Sequence, residues 1–353
     1  SFVVVQTLVR NDSEQLMMQK CEEEKLLIDD KLSVVRHSVT IINDYSNTLR
    51  NMNSFDVLSQ DYLDQMCSLA ISTAQDTNGA MAVYLRLNPE ITGSGTSGFF
   101  WSKKSADDEF TEEPPTDITV YDPNDIEHVG WFYTPKQTGE PLWMAPYYNK
   151  NIDVLMISYI IPLYDQINQF SGVVGMDIDF STIIQDTSKV KLYKTGRVAL
   201  IDEASRTLYY CNNLGTMITD TLPEGLGQKV STATDQVQNI ATEKSGSEEY
   251  LVCFSRLSND MVVCMNVPLS EVNAFSDNLM LVMAIVTLIC AGIAALYVWR
   301  STSTIVKPIE SLRKITHQYA KGEWDEHYIC QTGDELQDLS ESSSNMSDQT
   351  KNY

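Results

Sequence analysis

Two tryptophans and four tyrosines fall between Trp131 and Tyr159, with Phe132 beside the first of them. That is more aromatic mass than a loop needs for its own folding. Rigid aromatic walls with a few polar anchors are the usual lining of a small-molecule pocket, and they attract cationic amines through the ring quadrupole. The competing reading is that the rings only pin an insertion onto a sheet. Asp177 ends the apolar run Val173-Val174-Gly175-Met176, which shields its carboxylate from water. A shielded carboxylate needs a partner, either a ligand cation or backbone N–H groups of the insertion. Asp177 and Asp179 are two apart on a strand pattern and so share a face. A glycosidase pair instead flanks its substrate from two sides, at roughly 5–9 Å.

Other candidate chemistry is weaker. The pairs Asp107-Asp108, Glu112-Glu113 and Glu248-Glu249 lack the alternating oxygens of a calcium loop and read as solvated surface. Gly93-Ser94-Gly95-Thr96-Ser97-Gly98 has the spacing of a dinucleotide loop, but Phe99-Phe100-Trp101 follows as a strand pattern. The helix that would hold a pyrophosphate is missing there, so a loop between strands is expected. His37, His128, His317 and His327 are scattered without ligand spacing. No GxSxG, HExxH or complete phosphate loop occurs, and no catalytic residue, metal or cofactor is expected.

The elements that would position the aromatic cluster follow from periodicity. Asp12 to Arg50 contains no proline or glycine, and Ile28, Leu32, Val35, Val39, Ile42, Tyr45 and Leu49 step by three or four. This predicts one amphipathic helix of roughly 40 residues, about 60 Å long, suited to be a spine or a dimer seam. A second helix is expected over Phe55–Thr77. Strand patterns follow at Ala80–Leu87, Gly98–Trp101, Asp153–Leu163 and Gly172–Phe180, with a long polar and aromatic insertion between the second and third. A helical connector at Ser181–Val190 leads to strands at Gly196–Asp202, Thr207–Cys211, Glu249–Phe254 and Met261–Val267, with a polar helical stretch at Leu226–Glu243. The fold class is α+β, two antiparallel-sheet modules behind a long N-terminal helix.

Leu279 to Trp299 is free of charge, and such a helix rises roughly 30 Å, the thickness of a bilayer core. Arg300, Lys307, Arg313 and Lys314 follow it, which places the C-terminal side in the cytoplasm. Ser1–Val9 reads as the outer end of a truncated first membrane helix. The formal charge is −23. From Arg300 onward six basic and nine acidic residues give −3, leaving −20 for residues 1–299. Such a surface argues against nucleic acid and against lying on anionic lipid. The outer part holds Cys21, Cys67, Cys211, Cys253 and Cys264. Cys253 and Cys264 flank a hairpin-like connection, so a cross-strand bridge is conceivable, although buried free thiols are the favoured reading. Past the membrane, Ile305, Pro308, Ile309, Leu312, Ile315 and Tyr319 form one apolar seam. Leu336, Leu339, Ser343, Met346 and Tyr353 recur at heptad steps. Two helices this short cannot form a core alone and suit half of a dimeric four-helix coiled coil.

That last segment resembles a HAMP domain, through Val306-Lys307-Pro308-Ile309, Lys321-Gly322-Glu323 and Gly333-Asp334-Glu335-Leu336. The outer region resembles a double Cache sensor, with PAS-like modules. The likeness rests on Tyr84-Leu85-Arg86, Gly130-Trp131-Phe132-Tyr133, Pro141-Leu142-Trp143, Pro146-Tyr147-Tyr148, Ile157-Ser158-Tyr159 and the run Gly172 to Phe180. The resemblance implies a small-molecule pocket in the membrane-distal module, built from Trp131, Phe132, Tyr133, Trp143, Tyr147, Tyr159 and Asp177. The amino-acid-binding version has an arginine two residues before the pocket tryptophan and an aspartate two after the Pro-Tyr tyrosine. Here those positions are Val129 and Asn149, which favours an amine or a neutral or heterocyclic ligand.

The organisation expected is 1–9, end of a truncated membrane helix; 10–53, stalk helix; 54–188, membrane-distal module; 189–273, membrane-proximal module, mainly transmitting; 279–299, transmembrane helix; and 300–353, HAMP. The resemblance implies a bacterial transmembrane signalling receptor of the plasma membrane, with residues 10–278 extracytoplasmic and 300–353 cytoplasmic. It would be a homodimer through stalk and HAMP. Met346 to Tyr353 resembles the lead into a GGDEF diguanylate cyclase or a PP2C-type phosphatase, with the cyclase favoured. Histidine kinase and chemoreceptor outputs are alternatives. A membrane-anchored extracytoplasmic enzyme and an adhesion module are the rival classes.

Overall fold

The computed structural model describes residues 2–52, 56–149, 154–212, 214–245 and 248–351. Ser1, Asn53, Ser54, Phe55, Asp153 and Tyr353, at which expected segments begin or end, lie outside these. The chain divides into two compact units, Ser1–Phe275 and Ser276–Tyr353.

In the first unit, helix α1 (Phe2–Asn51) runs unbroken. Its buried stripe Met17, Cys21, Ile28, Leu32, Val35, Val39, Ile42 and Leu49 belongs to one core shared with both sheets. Helix α2 (Gln60–Asp76) starts where Ser59 Oγ accepts the Tyr62 N–H, an N-cap that satisfies an orphan donor. Its Tyr62 hydroxyl lies 2.7 Å from Ser46 Oγ of α1.

The first sheet contains β1 (Ala80–Leu87), β2 (Gly98–Ser102), β3 (Thr111–Glu112), β4 (Leu142–Trp143), β5 (Tyr147–Asn149), β6 (Val154–Tyr164) and β7 (Phe170–Asp179). It is antiparallel in the order β3-β2-β1-β7-β6-β4, with β5 also on β6. One face packs on α1 and α2. The other is covered by the one-turn α3 (Pro89–Thr92), α4 (Ile126–Thr138) and the loops between them. Burial on both faces explains why β6 and β7 read as near-continuous apolar runs instead of alternating. Helix α5 (Phe180–Thr187) links the sheets, and Asp179 caps it by accepting the N–H of Ser181 at 2.8 Å and of Thr182 at 3.3 Å.

The second sheet, β8 (Arg197–Asp202), β9 (Thr207–Cys211), β10 (Met217–Thr221), β11 (Gln238–Ser245), β12 (Glu248–Arg256) and β13 (Val262–Pro268), has the order β10-β9-β8-β13-β12-β11. Helix α6 (Glu224–Val230) lies in the β10–β11 connection. The α+β architecture expected from periodicity is the one observed.

Helix α7 (Leu269–Ser301) begins in the first unit and continues into the second, which holds the whole uncharged run. A π-helical turn (Thr302–Val306) joins it to α8 (Lys307–Ala320), and α9 (Glu335–Lys351) follows. The continuous Leu269–Ala320 helix reaches a mean hydropathy of 2.8 over a window with no residue buried. It is long and apolar enough to cross a membrane.

Two expectations are corrected. Leu226–Glu243 is not a helix: α6 ends at Val230, and Gln238–Ser245 is an edge strand held by β12. The aromatic insertion contains a 13-residue helix, α4, bounded by an Asp125 N-cap and Gly139 at φ +73°. Cys253 and Cys264 are buried free thiols, the reading favoured from the sequence. Cys253 pairs with Met265 and Cys264 with Phe254, so the two thiols sit on opposite faces. Cys253 Sγ reaches the Met17 carbonyl of α1 at 3.5 Å, while Cys264 joins the apolar cluster on the far side.

Candidate functional site

Strand alternation divides the first sheet cleanly. Ala82, Tyr84 and Arg86 of β1, Phe100 and Ser102 of β2, Ser158 and Ile160 of β6, and Val173, Gly175 and Asp177 of β7 share the face turned away from α1. Above that face, α4 and the segment 144–149 enclose a cavity of about 750 Å³, within the range of ligand sites. Tyr84, Arg86, Phe100, Trp131, Tyr147 and Asp177 line it, together with Asn149.

Asp177 is 3% exposed at the cavity floor. Ser158, directly opposite on β6, donates its hydroxyl to Asp177 Oδ1 at 2.6 Å, and Ser158 Oγ lies 3.1 Å from the Tyr147 hydroxyl. Burial pushes the carboxyl up to about 6, against hydrogen bonds from Ser158, Tyr147 and Tyr84 that favour the charged form. No cation among the described residues contributes to its balance. Burial, reinforced by the Asp177 charge, holds the Tyr84 and Tyr147 phenols well above the usual range, so both remain neutral donors.

Gly175 makes this geometry possible. A Cβ there would stand 2.5 Å from Cζ and Oη of Tyr84, so only glycine lets the ring lie across β7 beside the carboxylate. Tyr84 meets Trp131 edge-on at 5.3 Å and stacks on Phe100 at 6.1 Å. The indole is held because Trp131 Nε1 donates to the His128 carbonyl at 2.9 Å. The His128 ring stacks on Tyr121 at 4.9 Å and its Nδ1 lies 2.9 Å from Asp125 Oδ2.

Arg86 is 2% exposed and serves the walls. Its Nη2 donates to the carbonyls of Gly95 at 2.5 Å and Thr116 at 2.6 Å, and its guanidinium lies 5.8 Å from the Trp131 ring centre. Burial lowers its pKa to about 10, partly offset by Asp117, so it stays charged. Its Nε is buried with no hydrogen-bond partner among the described residues. The glycine-rich run Gly93–Gly98 is thus a loop closed by Arg86, and Gly98, at φ +119°, feeds β2.

Of the residues singled out from sequence, the structure brings Trp131, Tyr147 and Asp177 to this cavity. Phe132, Tyr133, Trp143 and Tyr159 do not line it. Successive residues on a helix point 100° apart, so Phe132 turns into the apolar cluster with Tyr84, Ile118 and Ile160. Tyr133 turns aside, to within 5.9 Å of Lys136 Nζ. On β6, Ser158 faces the cavity and Tyr159 therefore faces α1. There it packs on Trp143 at 4.9 Å, with the Arg36 guanidinium 5.9 Å from its ring centre. Val129 is buried in the cluster beneath α4. Ser158, Phe100 and Met144 were not singled out for the pocket. Their signal lay in the register against β7 and β1, which spacing alone does not fix. No group of three metal-ligating side chains occurs among the described residues.

Residues 68–185 match the family described as methyl-accepting chemotaxis protein-like, first PDC sensor domain. The chain is 20% identical over 325 residues to a "probable methyl-accepting chemotaxis protein" of Bacillus thuringiensis subsp. konkukian. That match covers 89% of this chain and 45% of the relative, so the chain spans about half of the relative's length. Among solved structures, the sensory domain of the Campylobacter jejuni chemoreceptor Tlp3 superimposes with a TM-score of 0.57 at 15% identity, covering 76% of this chain and 99% of that one. The same domain in complex with L-valine gives 0.55 at 16% identity, over 76% and 98%. At these identities the likeness is one of fold.

Proposed function

We propose that this chain, whose residues 68–185 match a first PDC sensor domain and whose fold is similar to that of chemoreceptor sensory domains, is a double Cache sensor and the sensing part of a bacterial transmembrane receptor. A small molecule carrying a protonated amine occupies the first-module cavity, with the amine on Asp177. One observation carries this reading: a buried carboxylate, ion-paired to no cation among the described residues, forms the floor of an aromatic-walled cavity. Leaving such a charge unpaired costs several kcal/mol. A ligand ammonium supplies the missing charge and a cation–π contact to Trp131 and Tyr84 together.

The Tlp3 sensory domain binds L-valine and isoleucine, so this fold accommodates an amino acid elsewhere. Here Val129 is buried and Arg86 holds wall carbonyls, so the bidentate arginine grip on an α-amino acid's carboxylate is replaced by the single ammonium of Lys104 at the cavity wall. Amines and heterocycles with an N–H donor fit better.

In this reading α7 spans the plasma membrane, α8 and α9 are the two helices of a HAMP unit in a homodimer, and an output domain follows. The Bacillus relative favours a methyl-accepting chemoreceptor output over a diguanylate cyclase. Ligand contacts must differ between two states of the dimer for any signal to pass.

The test is a titration of the whole chain in nanodiscs with a panel of biogenic amines and heterocyclic bases, read by calorimetry. The expected result is binding by at least one amine that weakens tenfold or more in Asp177→Asn, about 1.4 kcal/mol. Tight binding of a carboxylic acid without any amine, unaffected by Asp177→Asn, would refute the assignment.

A further inference from the structure

The two sheets repeat strand for strand: β3-β2-β1-β7-β6 corresponds to β10-β9-β8-β13-β12. The correspondence extends to single positions. Asp177 on β7 stands three residues before the first residue of α5, Phe180, and Asn266 on β13 stands three before the first of α7, Leu269. On the neighbouring strand, Asp177 faces Ala82 whereas Asn266 faces Arg197. The second sheet therefore carries an amide and a guanidinium where the first carries a carboxylate and a methyl group.

A second cavity, of about 510 Å³, lies over this position on the corresponding face. Its floor is small and apolar, from Ala199, Val252 and Cys264, and Tyr210 and Tyr250 stand at its sides. The Arg197 guanidinium lies 5.8 Å from the Tyr210 ring centre, which braces it above the floor. Asp220, Glu248 and Glu271 complete the wall. Glu271 is already engaged, accepting the Lys194 N–H at 2.8 Å and the Thr195 hydroxyl at 2.6 Å, and it belongs to the first turn of α7.

We infer that the second cavity is a separate binding site for a small zwitterion of amino-acid type, with its carboxylate on Arg197 and Asn266 and its ammonium toward Asp220 and Glu248. The chemistry excludes the simpler ligands. A planar guanidinium beside an amide donor suits a carboxylate. A bare carboxylate would meet repulsion from the acidic wall, and a bare amine would meet Arg197. Only a ligand carrying both signs satisfies both ends. Because Ser270 and Glu271 are part of the wall, an occupant touches the start of the helix that continues into the uncharged run. This site is independent of the first, whose recognition rests on Asp177.

The experiment is calorimetry and thermal-shift titration of the whole chain in nanodiscs with the twenty proteinogenic L-amino acids, followed for each binder by its decarboxylated amine and its deaminated acid. Wild type is compared with Arg197→Met, Asn266→Leu and Asp177→Asn. The expected result is an amino acid whose affinity falls at least tenfold in Arg197→Met and in Asn266→Leu but stays within twofold in Asp177→Asn. Neither one-charge analogue should match it. Should Arg197→Met fail to fold, Asn266→Leu alone decides. The inference is overturned if no amino acid binds, or if every binder is lost in Asp177→Asn and kept when Arg197 or Asn266 is replaced. The Asp177 variant thereby separates failure of this site from failure of the first.

Discussion

Asp177 buries an ionisable group at the floor of the first cavity, and that has a cost for the empty fold. Its carboxyl is raised to about 6 in the folded protein from 3.8. Between those values the native state holds a proton that the unfolded chain has released, so stability falls as pH rises through this window and levels off above it. A shift of this size corresponds to a few kcal/mol, on the order of 1.4 per pH unit. Asp177→Asn removes the ionisation and keeps the shape. The ligand-free variant should therefore melt higher than wild type at pH 7.5, and the difference should vanish near pH 4. Thermal melts across that range check this. An Asn variant that is less stable at pH 7.5 would mean that the carboxylate is needed for folding. Under the proposed function the ligand side has the opposite sign: an amine would bind the ionised form, so its affinity should rise with pH through about 6. Asp177 itself was legible in the sequence, because an acid closing an apolar strand run has few explanations. The four aromatic residues that lie elsewhere were misplaced because composition reveals ring density but not direction. Direction came from the turn of α4 and the alternation of β6.

Among the elements, legibility followed how strongly each one's own residues dictate it. The strands β1, β6 and β7 are apolar through most of their length and were visible as such. Strand β11 was not, since Gln238–Ser245 is an edge strand of polar residues whose structure comes from backbone pairing with β12. Helix α4 was hidden by Gly130 and Pro135 in its interior, both poor helix formers, although Asp125 and Gly139 mark its ends. The helices after the span carry a further test. In α8 and α9 the buried face of α9 is made of Ser340, Ser344 and Ser347, while Ile309 is 47% and Leu339 54% exposed. The serines are used within the chain: Ser340 Oγ accepts the Cys330 N–H at 3.1 Å, Ser344 Oγ meets His327 Nδ1 at 2.9 Å, and Ser347 donates to the Trp324 carbonyl at 3.1 Å. Apolar residues turned outward at heptad spacing suit a second copy. Cysteines placed at Ile309, Leu312, Leu336 and Leu339 should cross-link between copies in membranes, and cysteines at Ser340 and Ser347 should not. The reverse pattern would remove the dimer seam.

For the molecule as a whole, α1 is the shared member. Its Met17 and Cys21 belong to the same core as Cys253 and Leu251 of the second sheet, and its Val39 and Ile42 to the same core as the first. Cutting the chain after Ser188 exposes the part of α1 that the second sheet covers, at roughly 1.5–3 kcal/mol for each large apolar side chain returned to water. The first sheet, α2, α4 and every residue of the Asp177 cavity remain. The shortened protein should therefore be less stable, yet keep its amine affinity within a few-fold by calorimetry. A folded shortened protein that binds no ligand of the whole chain would place amine recognition in the second module.

The π-helical turn at Thr302–Val306 has an angular consequence. An α-helix advances 100° for each residue, and a π-turn holds one residue more than an α-turn. Everything after it is therefore out of phase with everything before it by about one residue's rotation. The buried stripe Pro308, Ile315 and Tyr319 of α8 therefore lies one residue's rotation away from where an unbroken α-helix would set it. Removing the bulge would turn that stripe by one residue's rotation, whereas sliding it along the helix would leave α8 where it is. The single extra residue thus sets which face of α8 is presented, in the way a key cut by one notch sets a lock.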